Sequence, residues 1–470
     1  MKQKLLILLS ASCLLLGACA TKGNNDEPKK EDEQVEPSEE EGKDLQPEQT
    51  KVDYHLKFYA ALTYDGDNKP LEFNYDISYE TFPISQPGTA FSKDLAVLSF
   101  ALTMNTSKEL ITSAYQEIGF DNIVTSADYD VPETKESVLF TLAHRKINEV
   151  DVISLTIIGV GYKLPWESNF IIDESGNHAG FQAGANKVLE GLNQYLTNYP
   201  DVNNRKIWIN GYSRTAAIGN IVAYTLIDEE LVKEENLYAY LFETPRGVDV
   251  SNTKEYKSVF NIINSGDVVT YVAPEIYGLK RVGVDINIYK ENADEIVSNF
   301  DRRIILNTLT PDGDNYTNEV ELIGYLFAQL THEFSDPEQE LYDLSTRANF
   351  ANYYQRYIGY LLSLVFSLKT ETLSAIQEAF SNLGLLDMLK FLEEDGIYDF
   401  LKPILDEHEE QYDDELLRAS LNKLLTVVTN VPTIVALAMI EEARNSLVRC
   451  VQLHAPETIF PLLLAYSQEE

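Results

Sequence analysis

The chain has 470 residues, of which 44% are hydrophobic and 11% aromatic, so it can bury a large core and is not globally disordered. Its 37 lysines and arginines stand against 75 aspartates and glutamates, and the net charge of −38 argues against binding to nucleic acid. The three cysteines, Cys13, Cys19 and Cys450, are too few for a disulfide framework or a cysteine-rich metal site.

The first fifty residues are predicted to be a targeting signal followed by a tether. Lys2 and Lys4 precede the apolar run Leu5–Leu16, whose 12 residues are too few to span a bilayer and are typical of a secretory signal. Residues 19–50 are strongly acidic and contain few large apolar side chains. Because such a segment cannot offset the entropy cost of ordering, it is predicted to stay disordered.

The signal ends in a short motif that predicts a lipid anchor. Leu16-Gly17-Ala18-Cys19 resembles the lipobox of bacterial lipoproteins, which implies cleavage after residue 18 and lipidation of Cys19. More than one acyl chain would hold the protein stably on the outer face of the cytoplasmic membrane, or on the outer membrane of a Gram-negative cell. The alternative is an ordinary signal peptide with an incidental cysteine.

Residues 51–300 are predicted to form an α/β core. Alternating apolar residues in Val52–Tyr64 and Leu71–Phe82 predict a β-hairpin, and two helices follow it at 95–104 and 108–118. Strands and helices then alternate, which favours a doubly wound, mostly parallel sheet. The predicted elements are strands at 136–147 and 150–158, a helix at 180–197, a strand at 206–210, a helix at 214–229, and strands at 237–243 and 258–264.

The pattern changes after about residue 300, where helices dominate. The predicted helices cover 319–331, 347–368, 372–392, 397–408 and 414–430, and residues 301–448 are expected to be a helical insertion or cap. The apolar stretch 424–440 contains Asn430 and Pro432, so it is predicted to be a buried or capping helix and not a membrane span. Residues 449–470 then complete the core with a loop and a final short helix.

The segment Lys206–Ala217 is the most informative part of the sequence. An apolar strand runs into Gly211-Tyr212-Ser213 and an amphipathic helix follows at once. This order is typical of a nucleophile elbow, in which a sharp turn exposes a serine hydroxyl above the sheet edge. A chance Gly-x-Ser sequence is the alternative.

An acid and a base are expected after such a serine. Asp267 follows a predicted buried strand, with Gly266 giving the backbone room to turn, although it could also be an ordinary solvated loop residue. Among the histidines farther along the chain, His454 precedes the final helix, and His332 is the alternative base at the start of an acidic loop. His408 lies on a charged helical surface and is predicted to be inert.

With these residues in place, the chain resembles the bacterial lipase-like branch of the α/β-hydrolases, related to the class 3 lipases. The matching pieces are DLAVLS (94–99), YKLPWESNF (162–170), HAGF (178–181), GYSR (211–214), NSGD (264–267) and HAPE (454–457). The resemblance implies that Ser213 is the nucleophile, Asp267 the orienting acid and His454 the base. It also implies an oxyanion hole formed by the N–H groups of Arg214 and Val160.

The sequence departs from the family pattern just after the serine. Thr215 and Ala216 stand where the family commonly has two glycines, which let helix and strand approach closely. A β-branched threonine is the less comfortable replacement, and this puts activity in doubt. His178 lies before Ser213 in the chain and is interpreted as structural.

The sequence therefore predicts a surface-anchored serine hydrolase, lipase- or carboxylesterase-like, that acts on acyl esters, with lipid-like esters among the candidates. A peptidase or thioesterase stays open within this class, because a triad does not define its acyl substrate. The rival is a catalytically inactive surface lipoprotein that keeps the fold for a binding role. No cofactor and no metal site is expected. The acidic segment Asp312–Asn315 is not followed by the central glycine and the final glutamate that a calcium loop requires. The oligomeric state is left open.

Overall fold

The computed structural model describes residues 51–304, 306, 345–353, 395–430 and 452–467, with scattered positions between 356 and 379; within the first range, residues 66–68, 133, 135–136, 159–168, 170 and 273–274 are not described. The predicted signal peptide and tether, with Cys19, therefore lie outside the described residues, and the lipid anchor stays a prediction. None of the helices within the described ranges is both long and apolar enough to cross a membrane.

The described part of the chain begins with the predicted hairpin. Strands β1 (Val52–Tyr64) and β2 (Pro70–Tyr79) pair antiparallel and form a two-stranded sheet. Alternate side chains such as Leu56 and Phe58 are buried, whereas their neighbours on the other face are exposed. The alternation of apolar and polar residues arises because one face of the hairpin packs against the core and the other faces solvent.

A sheet of seven strands forms the centre of the molecule. Its strands are β3 (Asp121–Thr125), β4 (Leu139–Ile147), β5 (Val150–Ile158), β6 (Arg205–Tyr212), β7 (Leu237–Phe242), β9 (Val259–Ile263) and β11 (Val284–Asn287), in the order β11-β9-β7-β6-β5-β4-β3. The five strands from β5 to β11 are parallel, and β4 and β3 add an antiparallel edge. A separate short pair joins β8 (Val248–Asp249) to β10 (Leu279–Lys280). The predicted mostly parallel sheet is confirmed.

Helices cover both faces of this sheet, as a doubly wound fold requires. One face packs against α3 (Ala179–Leu196) and α4 (Arg214–Asp228). The opposite face packs against the hairpin and against α1 (Lys93–Thr103), α2 (Lys108–Glu117), α5 (Ala293–Phe300) and α9 (Pro456–Ala465). Two consecutive residues of β6 pack on opposite faces of the sheet. Ile209 lies in the core beneath α3 and α4, and Trp208 lies in the core on the side of the hairpin.

The first two helices begin at serine caps. The Ser92 side chain accepts a hydrogen bond from the Leu95 N–H at the start of α1, and Ser107 accepts one from Leu110 at the start of α2. These bonds satisfy backbone donors that a helix leaves unpaired in its first turn. Ser107 thus marks the start of α2.

Besides the two-residue strands β8 and β10, three elements are absent from the sequence-based prediction. Edge strand β3 has only exposed or half-buried residues, β11 is a short strand with mostly exposed residues, and α5 is an eight-residue helix. The two edge strands carry little hydrophobic periodicity, so the pattern that reveals the central strands is lacking in them.

The helical region beyond residue 345 is described in part. It contains α6 (Arg347–Tyr353), α7 (Gly396–Glu407) and α8 (Asp414–Asn430), the last two close to their predicted bounds. Leu401, Leu405, Leu417 and Leu421 pack together in a core of their own. The predicted helices at 319–331 and over most of 372–392 lie outside the described residues, and the division into core, cap and terminal segment stays a prediction.

Candidate active site

Ser213 stands at the sharp turn between β6 and α4. Its backbone has φ 56° and ψ −128°, a left-handed conformation that costs energy for a residue with a side chain. The turn also brings strand and helix so close that a Cβ on Gly211 would lie 2.7 Å from the carbonyl oxygen of Thr215. Glycine at position 211 is therefore required by the close approach, and the pair of residues produces the geometry of a nucleophile elbow.

Thr215 fits this elbow better than the sequence suggests. Its hydroxyl accepts a hydrogen bond from the Tyr212 N–H at 3.0 Å and donates one to the Tyr212 carbonyl at 2.9 Å. Thr215 is fully buried, so these bonds satisfy two backbone groups that water cannot reach. The expected discomfort of a β-branched residue is offset because the hydroxyl ties the helix to the turn.

Asp267 lies in a tight turn after β9, two strands away from the strand that ends at Ser213. Its Oδ1 accepts a hydrogen bond from the Val269 N–H at 2.9 Å, and its own N–H donates to the Asn264 carbonyl at 2.8 Å. The side chain is completely buried. The alternative interpretation of Asp267 as an ordinary solvated loop residue is therefore wrong.

Gly266 serves a different purpose from the predicted one. A Cβ at this position would lie 2.6 Å from Cδ1 of Leu453, the residue just before His454. The missing side chain thus allows the turn that carries Asp267 to contact the segment that carries His454. Close approach, and not a left-handed backbone, is the reason for glycine here.

Hydrogen bonds from several elements hold the segment around His454. The Tyr212 hydroxyl donates to the carbonyl of His454, and the Asn264 amide donates to the Leu453 carbonyl at 3.1 Å. Just beyond, the buried Glu457 side chain accepts a hydrogen bond at 2.9 Å from the backbone N–H of Ala61 in β1. The hairpin and the elbow therefore both position the candidate base.

The structure brings Ser213, His454 and Asp267 into one continuous hydrogen-bonded chain. Nε2 of His454 lies 2.9 Å from Oγ of Ser213, and Nδ1 lies 2.6 Å from Oδ2 of Asp267. The exposed fractions are 8% for Ser213, 2% for His454 and 0% for Asp267. A base in contact with a hydroxyl and oriented by a third group is the arrangement that activates a serine nucleophile.

The other histidines of the sequence analysis lie elsewhere. His178 is buried at the start of α3, where it accepts a hydrogen bond from the Phe181 N–H, and its burial lowers its pKa to about 3. A neutral, capping histidine fits the predicted structural role. His408 is at the end of α7, a helix whose hydrophobic core, over the described residues, contains no residue of β6 or α4. The alternative base His332 and the oxyanion candidate Val160 lie outside the described residues.

Arg214, the other oxyanion candidate, is the first residue of α4 and follows Ser213 directly. Its backbone N–H therefore belongs to the helix N-terminus, where the helix dipole favours negative charge. This is the position that an oxyanion donor occupies relative to a nucleophile at an elbow.

A comparison with protein families finds a match over part of this site. Residues 165–277 match the family model for class 3 lipases. The chain is lipase-like over this segment, which includes Ser213 and Asp267 and ends before His454. Together with the sheet topology, the match identifies an α/β-hydrolase fold, as the sequence predicts. No curated protein matches the chain at a significant level.

Solved structures with a similar fold include several fungal lipases. Rhizomucor miehei triacylglyceride lipase is 17% identical, covers 43% of this chain and 83% of its own, and has a TM-score of 0.33. The lipase from Rhizopus microsporus var. chinensis is 18% identical, with coverages of 43% and 78% and a TM-score of 0.32. Lipase II from Rhizopus niveus is 13% identical, with coverages of 41% and 78% and a TM-score of 0.30.

One buried acid at the site was missed by the sequence analysis. Glu243 follows β7, the strand between the two that end near Ser213 and Asp267, and it is completely buried. One oxygen of Glu243, one of Asp267 and one ring nitrogen of His454 lie within 4.8 Å of one another. The signal was available, because a carboxylate just past a continuous apolar strand is the pattern that pointed to Asp267.

Proposed function

We propose that the protein is a serine hydrolase that cleaves carboxylic esters through Ser213, His454 and Asp267. The observation that carries the proposal is the hydrogen-bonded chain from the Ser213 hydroxyl through both nitrogens of His454 to Asp267. A protein that only binds its ligand has no need of a strained serine backed by a buried base and acid. The lipase-like match over residues 165–277 supports the same class of reaction.

In the first step, Ser213 Oγ attacks the ester carbonyl while Nε2 of His454 accepts the hydroxyl proton. Nδ1 carries the other ring proton and donates it in a hydrogen bond to Asp267, which fixes the tautomer and stabilises the imidazolium as it forms. The tetrahedral intermediate then collapses. His454 returns the proton to the departing alcohol, and the acyl group stays bound to Ser213.

Negative charge develops on the carbonyl oxygen during this step. The Arg214 N–H at the N-terminus of α4 is suited to stabilise it, and we assign the second donor to Val160, which follows the carboxyl end of β5 in the sequence. Water, deprotonated by the same His454, then attacks the acyl-enzyme; the bond to Ser213 Oγ breaks, the carboxylic acid leaves, and His454 returns the proton to Ser213. Each turnover therefore uses the base twice and leaves the enzyme unchanged.

The family match and the charge support two kinds of ester as substrates. Lipid-like esters and small acyl esters both suit a lipase-like site, and the net charge of −38 disfavours adsorption to anionic bilayers. We further propose that residues 301–448 form a cap over the substrate, and that lipidation of Cys19 tethers the enzyme to the bacterial cell surface. The proposed tether would carry the site to substrates outside the cell without requiring surface adsorption.

A panel of p-nitrophenyl esters of increasing acyl length tests the proposal. The full chain in detergent should hydrolyse at least one ester, whereas Ser213→Ala and His454→Ala should lose the activity and His332→Ala should keep it. Detergent both above and below its micelle concentration covers the case of a cap that opens only at an interface. A folded chain that hydrolyses none of these esters under either condition would favour the binding-protein alternative.

A further inference from the structure

Glu243 is a buried carboxyl group that has no role in the mechanism above. We propose that Glu243 is a positioning residue of the triad, whose protonated carboxyl group donates a hydrogen bond to the Asp267 carboxylate. The inference rests on the proposed function only for its catalytic consequence, since the protonation and the hydrogen bond are properties of the resting protein.

The backbone gives a first reason to expect a function at this position. Glu243 has φ 47°, in the left-handed region, although its N–H still continues the sheet by donating to the Ile262 carbonyl at 2.9 Å. A glutamate in this conformation is strained, whereas a glycine would not be. The strain is retained at the carboxyl end of β7, between the strands that lead to Ser213 and Asp267.

The side chain is directed into the site by the turn that carries Asp267. The Asn264 N–H donates to Oε1 of Glu243 at 3.0 Å and lies 3.2 Å from Oε2, and one oxygen of the same carboxyl group lies within 4.8 Å of an oxygen of Asp267. Two fully buried carboxyl groups this close together do not both ionise at ordinary pH, so one of them keeps a proton. Because the Asp267 oxygens accept from Val269 and face His454, the proton belongs on Glu243.

The charges around Glu243 agree with this assignment. Burial is the largest influence and the adjacent Asp267 the next, and together they raise the pKa of Glu243 well above its usual value. The Asn264 N–H and the charge of Arg281 act in the opposite direction. Arg281, however, is already paired with Asp285 at 2.8 Å and donates to the Thr244 carbonyl. The Asp285 carboxylate therefore offsets much of the charge of Arg281 and weakens its effect on the pKa of Glu243.

The protonated state matters for the base. If Glu243 were ionised, two negative charges would lie beside His454 and would stabilise its imidazolium form. A base that is already protonated cannot accept the Ser213 proton. A neutral Glu243 leaves one negative charge at the site, on Asp267, and its hydrogen bond holds that carboxylate toward Nδ1. Partners that orient the ligands of a metal ion in this way contribute about 10- to 100-fold in activity, and we expect an effect of the same order for a partner that orients the triad carboxylate.

An infrared measurement tests the protonation without any substrate. At about pH 8, where an ordinary glutamate is ionised, the full chain in detergent should show the C=O stretch of a carboxylic acid. The difference spectrum against Glu243→Gln should contain this band, and Ser213→Ala, the matched control, should retain it. Absence of the band from the difference spectrum would overturn the proposal whether or not the protein hydrolyses esters.

Kinetics test the positioning role. The glutamine amide can donate to Asp267 and accept from Asn264, so Glu243→Gln should keep kcat within about 3-fold and leave the acid limb of the pH profile in place. Glu243→Leu should lower kcat about 10- to 100-fold with little change in KM. If Glu243 were ionised, Glu243→Gln would instead shift the acid limb down by about one pH unit, and that result would refute the proposal. Should Glu243→Leu fail to fold, the glutamine variant decides alone.

Discussion

The hydrogen bonds of Asp267 make one substitution especially informative. In Asp267→Asn, the amide oxygen should take the place of Oδ1, which accepts from the Val269 N–H at 2.9 Å, so the amide nitrogen should face His454 at the position of Oδ2. Two donors cannot face each other at 2.6 Å. Nδ1 of His454 must therefore become an acceptor, and the ring proton moves to Nε2, where it faces Ser213.

In this tautomer His454 cannot accept the Ser213 proton. Loss of the correct tautomer in a serine triad lowers kcat by about four orders of magnitude, which corresponds to about 5 kcal/mol of transition-state stabilisation. The assay is hydrolysis of the best p-nitrophenyl ester, with the thermal midpoint of unfolding as the control for an intact fold. Because the triad acts as a unit, Asp267→Asn combined with His454→Ala should be no slower than His454→Ala alone. A folded Asp267→Asn variant within about 10-fold of the parent would refute the reasoning.

Three further changes test the surroundings of the site. Gly211→Ala places a Cβ 2.7 Å from the Thr215 carbonyl and should cost about 1–3 kcal/mol of unfolding free energy together with most of the activity; an unchanged denaturation midpoint would contradict this. Thr215→Val removes the hydroxyl that bonds both backbone groups of Tyr212 and should lower the free energy of unfolding by about 1–3 kcal/mol, whereas Thr215→Ser should change it little. Equal losses in the two variants would show that the hydroxyl is unimportant. His178 has a pKa of about 3 in the folded protein, so between about pH 6.5 and pH 3 it is protonated only in the unfolded chain. The free energy of unfolding should therefore fall as the pH falls, by up to about 1.4 kcal/mol per pH unit. His178→Asn should reduce this slope in pH-dependent unfolding, and an identical slope would contradict the assignment.

The sequence predicts the site well where local pattern and chain order carry the information. An apolar strand that runs into Gly211 and Ser213 and then directly into a helix leaves few conformations for the turn, and the structure has the elbow there. Asp267 follows a continuous apolar strand of the same parallel sheet, so both residues must come to one edge. Local sequence therefore predicts two of the three residues without knowledge of their contacts.

The remaining features depend on contacts between distant parts of the chain. Nothing near His454 in the sequence shows that Tyr212 and Asn264 hold its segment in place. The fit of Thr215 depends on a hydroxyl that turns back to the preceding residues, which propensity does not reveal. Glu243 follows an apolar strand as Asp267 does, but an acid at a strand end is ordinarily solvated, and the tertiary fold is needed to show that it is buried beside Asp267.

Reaction with a fluorophosphonate probe tests the central claim most directly, because such probes label serines that an adjacent base activates. The full chain should be treated in detergent above and below the micelle concentration, digested, and mapped by peptide mass. Labelling confined to Ser213, lost in Ser213→Ala and strongly reduced in His454→Ala, is the result that the triad predicts. Labelling at another serine, or no labelling of a folded chain under either condition, would contradict it.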